Sequence, residues 1–260
     1  MMRRLVISLS VVWVLLANGQ VSVGQNQPND DNAMLISLRD YGSEDVGYLV
    51  IPEKRPKAGL VIAPDSWGLT SSVCKVCREL ADLGYIVLAV DLYNGERAQT
   101  QEGAQILEQW VELGTSVKAV QTGIQFFKSS PRFRMDKVLV IGARGSVDVV
   151  INAVKDQEIV AGITLFYPKQ NFDLKSLRQV NAPIQVVGNN VPEIQARMKE
   201  VDKSLLKDIK FQPVAEDYQK VWLLSSSPHS WSNSWKEAFS FWLKCLQNTK
   251  KDSLLDKVFG

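Results

Sequence analysis

The sequence predicts an α/β fold: one mostly parallel central sheet with helices on both faces, in a single domain. Three observations point to it. Five short apolar runs, Ala58–Ala63, Tyr85–Val90, Val138–Ile141, Val160–Tyr167 and Pro183–Val187, lack the alternation of a half-exposed strand, as expected of strands covered on both sides. Stretches of helical character separate them, which is the pattern of right-handed βαβ crossovers. A chain of 260 residues with 45% hydrophobic content can bury a substantial core, and no internal repeat or second domain is visible.

Each element has its own signal. Met34–Arg39 and Val46–Ile51 alternate around Asp40–Asp45 and read as an opening antiparallel pair. Ala58–Ala63 is followed by the loop Pro64–Leu69 and by a helix over Thr70–Leu83, with Thr70 or Ser71 as N-cap and Gly84 closing it. Tyr85–Val90 ends at Asp91, and its loop carries Tyr93, Gly95, Glu96 and Arg97. Gln101–Ser129 is helical, with a break expected at Gly114 or Thr115, and Pro131 follows its end. A helix reaches about Val154, Asn171–Leu177 is a loop or short helix, and Pro192–Val201 is helical. Val221–Leu224 reads as the last strand and Trp231–Gln247 as a closing amphipathic helix. On that helix Trp235, Phe239 and Trp242 share a face suited to core packing.

The chain is organised around Lys137–Val150, KVLVIGARGSVDVV. A β-branched run breaks at Gly142, a turn of small residues follows, and a helical segment begins. This is the layout of a strand–elbow–helix carrying G-x-Nuc-x-G. Gly142 is the first glycine, Ser146 replaces the second, and the nucleophile position is Arg144. A guanidinium stays protonated and has no lone pair to attack a carbonyl. Ligands of open α/β sheets bind beyond the strand C-termini. The Asp65 loop, the Tyr93 loop, Arg144, Asn190 and His229 all follow such ends and can converge on one crevice.

These stretches resemble the dienelactone hydrolase family of the α/β-hydrolase superfamily, over roughly Met34–Gln247. The resemblance is carried by GLVIAPDSWGL, LADLGYIVLAVDLYNGE, VLVIGARGS, PIQVVGNNVPE and PHSWSNSWKEAFSFW, the second being the most specific. It implies hydrolysis of esters or lactones by a Cys or Ser nucleophile, an Asp and a His, without metal or organic cofactor. Residue by residue, the nucleophile position falls on Arg144, the acid on Asn190 or Asn189, and the base on His229, the only histidine. A family acidic residue falls on Asp65, and the oxyanion-hole amides on Ser66 or Trp67 and on Gly145. The arginines that hold a substrate carboxylate are not matched in register; Arg97 lies a few residues late.

Two of three triad positions are therefore changed. Asn190 can orient His229 but cannot offset the charge that develops on the imidazole. Arg144 has three readings: a structural ion pair with Asp65, an anion or carbonyl binder in the crevice, or an outward-facing side chain. An inward guanidinium needs a partner, because burying it alone costs several kcal/mol. His229 is either a remnant of the site or a loop histidine packed on Trp231. Ser146 and Ser66 are the candidate displaced nucleophiles; Ser146 fails the small-residue rule because Arg144 and Asp148 flank it at two places. Ser225–Ser227 and Ser230 read as loop hydrogen-bonders. Cys74 and Cys77 form C-x-x-C near a helix start, a redox pair or two inward-packing residues of VCKVCREL. One His and the scattered Cys, with Cys245, do not make a zinc site.

The N-terminus MMRR, followed by LVISLSVVWVLLA and small residues, fits a secretory signal over residues 1–24, cleaved before Gln25 or before Gln20. A polar linker spans 25–33, the domain 34–247 and a C-terminal tail 248–260. The apolar run is shorter than a membrane span. Arg3 and Arg4 account for the excess of 30 basic over 28 acidic residues, so the processed chain is near neutral and lacks the cationic surplus that nucleic acid requires. The expectation is an exported, periplasmic or extracellular pseudohydrolase that holds a small anionic or carbonyl ligand, or a protein partner, and uses no cofactor. The rivals are an ester hydrolase with a displaced serine and a thiol redox protein.

Overall fold

The computed structural model describes residues 32–42, 46–110, 112–201, 204, 209–222, 224 and 230–259, with side chains described except at 110, 219, 220 and 248–259. The expected signal segment 1–24, most of the linker, Ser225–Ser227 and His229 lie outside the described residues.

Among the described residues, one sheet of eight strands runs in the order β1-β2-β4-β3-β5-β6-β7-β8. β1 (Ala33–Ser37) and β2 (Val46–Val50) form the expected antiparallel pair, and β2 is also antiparallel to β4 (Ile86–Val90). From β4 the sheet is parallel through β3 (Gly59–Ala63), β5 (Val138–Ala143), β6 (Val160–Phe166), β7 (Ile184–Gly188) and β8 (Ile209–Pro213). The helices are α1 (Ser71–Asp82), α2 (Gln101–Trp110), α3 (Leu113–Ser129), α4 (Val147–Ala153), α5 (Val191–Val201) and α6 (Asn233–Phe259).

The continuous apolar runs split by strand alternation into two cores. Val61, Leu88 and Val140 face Val120, Ile124, Phe127 and Val150 on one side. Leu60, Ile62, Val87 and Ile141 face Val73, Leu80, Trp235 and Trp242 on the other. Trp235 and Trp242 are fully buried, and their indole N–H groups donate to the Val221 carbonyl at 2.8 Å and to Thr164 Oγ1 at 2.9 Å. The closing aromatic cluster is therefore core, as its spacing suggested.

Three boundaries differ from the sequence reading. The last strand is Ile209–Pro213, a half-exposed edge whose Lys210 and Gln212 mask its apolar character. Val221 and Trp222 instead close a 3-10 turn over Tyr218–Trp222, since an apolar run this short does not separate a strand from a buried turn. The helical break falls before Gly114: Glu112 caps α3, and its Oε2 accepts from Thr115 Oγ1 at 3.2 Å. α6 also passes 248 without a backbone break. Among the described residues no helix is long and apolar enough to cross a membrane.

Candidate functional site

After β3 the chain goes to β4 on one side, and β5 returns on the other. The C-terminal ends of β3 and β5 therefore flank a topological switch point, where open α/β sheets place ligands. A crevice of about 1000 Å³ opens there. Asp65, Ser66 and Trp67 enter it from the loop after β3, and Arg144 from the turn after β5. Tyr167, Pro168, Lys169 and Gln170 come from the loop after β6, and Asn189 and Asn190 from the end of β7. Gln101, Gln105 and Glu108 form one face of α2 above it, and Tyr218 and Trp222 close it from the 3-10 turn.

The turn after β5 has the geometry of an elbow. Strand β5 continues through Gly142 to Ala143, one turn of 3-10 helix spans Arg144–Ser146, and α4 follows directly. A Cβ at Gly142 would lie 2.8 Å from Val150 Cγ2, so glycine is what lets α4 lie close against β5. Arg144 adopts φ +48°, a left-handed conformation that costs a non-glycine residue on the order of 1–3 kcal/mol and is characteristic of functional turns. Ser146 stands where the second glycine of the motif would be. Its hydroxyl donates to the Ala63 carbonyl at 2.8 Å and accepts the Ala143 amide at 2.9 Å, and the residue is 1% exposed. That hydroxyl is part of the scaffold and does not face the crevice as a nucleophile.

The Arg144 side chain is exposed, with its guanidinium carbon 4.7 Å from the centroid of the Tyr218 ring. Among the described residues no carboxylate lies within ion-pair distance of it. The expected contact pair with Asp65 is not formed, because Asp65 is held elsewhere. Its Oδ1 accepts the Trp67 amide at 3.0 Å, and its Oδ2 accepts the Trp222 indole N–H at 2.9 Å. Burial pushes the Asp65 carboxyl up from its ordinary value, while these two donors and the nearby Arg144 charge pull it partly back.

The Trp67 amide is committed to Asp65, which leaves Ser66 and Gly145 as the remaining expected oxyanion-hole positions. Asn190 turns its Nδ2 to the Pro168 carbonyl at 2.6 Å, leaving Oδ1 buried with no described partner. The base position, His229, lies outside the described residues.

Tyr93 does not join the described lining. It is 7% exposed in the core beneath the site, and burial, with Asp65 and Glu108 nearby, pushes its phenol well up. Arg97 is exposed on the loop after β4, packed against Gly68 and outside the described lining. Sequence reasoning missed Glu108 and Lys169, which form an ion pair across the crevice from positions 61 residues apart. It also missed Tyr218 and Trp222, hidden in and beside a stretch read as a strand. No local pattern marks an ion pair between distant elements.

Cys74 and Cys77 face inward on α1, at 3% and 0% exposure, and Cys245 is also buried; none of the three is in a disulfide. Burial first, and then the neighbouring Cys74, pushes the Cys77 thiol up, opposite to what a redox thiolate needs.

Comparison with known proteins adds the following. A model of the dienelactone hydrolase family matches residues 46–212. No curated protein sequence matches the chain. Among solved structures, the chain is similar to a putative dienelactone hydrolase from Klebsiella pneumoniae, with 15% identity, TM-score 0.65, and 83% of this chain and 98% of that one covered. It is similar to a dienelactone hydrolase-like promiscuous phosphotriesterase from metagenomic libraries, with 19% identity, TM-score 0.61, and 84% and 97% covered. A dienelactone hydrolase from Anabaena variabilis shares 19% identity at TM-score 0.56, with 75% and 94% covered. At these identities the likeness is one of fold.

Proposed function

The chain belongs to the dienelactone hydrolase family, and from that premise we propose that it is a pseudohydrolase whose crevice binds a small anionic ligand without cleaving it. The observation that carries this reading is the occupant of the elbow. Arg144 holds the left-handed turn residue, and its guanidinium stands at the crevice on the face of Tyr218. Stacking on the ring is worth about 0.5–1 kcal/mol at an exposed site and orients the planar fork, leaving its edge N–H groups for a carboxylate. The Ser66 and Gly145 backbone amides, at the family's oxyanion-hole positions, are the further donors of this reading. Asn190 at the acid position supports the same reading, since an amide cannot stabilise an imidazolium as a carboxylate does.

Calorimetric titration with glutarate tests the proposal. Arg144→Gln should weaken binding about tenfold, the share of one charge-assisted pair. Equal affinity for both proteins would overturn it. The hydrolase alternative rests on Ser66, which lines the crevice, because Ser146 is committed to the backbone. We also propose export, supported by the N-terminal sequence pattern alone; a mature N-terminus at Gln20 or Gln25 would establish it.

A further inference from the structure

We propose that the ligand is a saccharide carrying a carboxylate, a uronate-containing oligosaccharide. This rests on the anion-binding reading and names its ligand class. Among the described residues that line the crevice, none is Leu, Ile, Val, Met or Ala. The aromatic residues Trp67 and Tyr218 line it and are half-buried, so both are partly open to a ligand. An acyl chain gains its binding energy from aliphatic walls and finds few here. Flat rings instead suit the C–H face of a pyranose.

The polar complement fits the same ligand. Gln101 and Gln105 sit one turn apart on α2, and Asn189 projects from the end of β7; all three are exposed and line the crevice. Carboxamides both donate and accept, as a sugar hydroxyl does. The volume, about 1000 Å³, is at the upper end for small-molecule sites and exceeds what a single small lactone fills. Arg144 adds the one requirement a neutral sugar lacks, a fork for a carboxylate.

The test is calorimetry with trigalacturonate, cellotriose, glutarate and decanoate. Trigalacturonate should bind about tenfold tighter than glutarate and than cellotriose. Trp67→Ala should weaken trigalacturonate about fivefold more than it weakens glutarate. Gln105→Ala, at an exposed position, should do the same in a protein whose fold is not at risk. Glutarate or decanoate binding as tightly as trigalacturonate, with the affinity lost in Arg144→Gln, would overturn the saccharide and leave the anion site standing. No binding of any carboxylate would overturn both.

Discussion

The Ser146 hydroxyl joins the Ala63 carbonyl to the Ala143 amide, tying the C-terminal end of β3 to that of β5 beneath the elbow. The motif's second glycine is replaced by a side chain that makes its own place through hydrogen bonds. Ser146→Ala leaves buried backbone groups without that partner and should destabilise the protein by about 1–3 kcal/mol in urea unfolding. An unchanged midpoint would show that the hydroxyl carries none of the strain of the turn.

Asp65 sets a pH dependence. Burial raises its folded pKa above the ordinary 3.8, so between those values the folded protein binds more protons than the unfolded chain. Its contribution to stability is then full below 3.8 and lost as pH rises through the folded value. Relative to Asp65→Asn, the wild type should lose thermal stability as pH rises from the carboxyl's ordinary value through the raised folded one. Parallel stability curves for the two proteins would contradict the assignment.

The three thiols should resist modification. Burial raises Cys77 and pushes Cys245 up to about 11. A thiol reagent at mild alkaline pH should label none of them in the native protein and all of them after unfolding. Rapid native labelling of Cys74 or Cys77, or a disulfide between them, would revive the redox reading.

The strands and most helices were legible because burial on both faces writes itself into sequence as unbroken apolar runs. Asp65, Ser66, Trp67, Arg144 and Asn190 were legible as crevice residues because each directly follows a strand that ends at one edge of the sheet. Tyr93 follows such a strand too, yet Asp91 accepts its amide at 2.9 Å and turns the loop so that its ring drops into the core. The edge strand Ile209–Pro213 was not legible, since one exposed side and a lysine leave little apolar signal. The Arg144–Tyr218 stacking and the Glu108–Lys169 pair come from tertiary juxtaposition, which no local spacing encodes.

The elbow retains its backbone form, so restoring side chains should restore some chemistry. Arg144→Cys with Asn190→Asp should hydrolyse p-nitrophenyl acetate about 10²-fold above buffer, the lower range of positioned acid–base help. A folded double variant at the buffer rate would mean that the crevice no longer admits an ester to the elbow.

The most direct measurement is on the unaltered protein: incubation with a fluorophosphonate probe, read by intact mass, beside a p-nitrophenyl acetate assay. With Arg144 where bond-making would begin, the expected result is no adduct and no turnover above buffer. A stoichiometric serine adduct that disappears in His229→Ala would contradict the account.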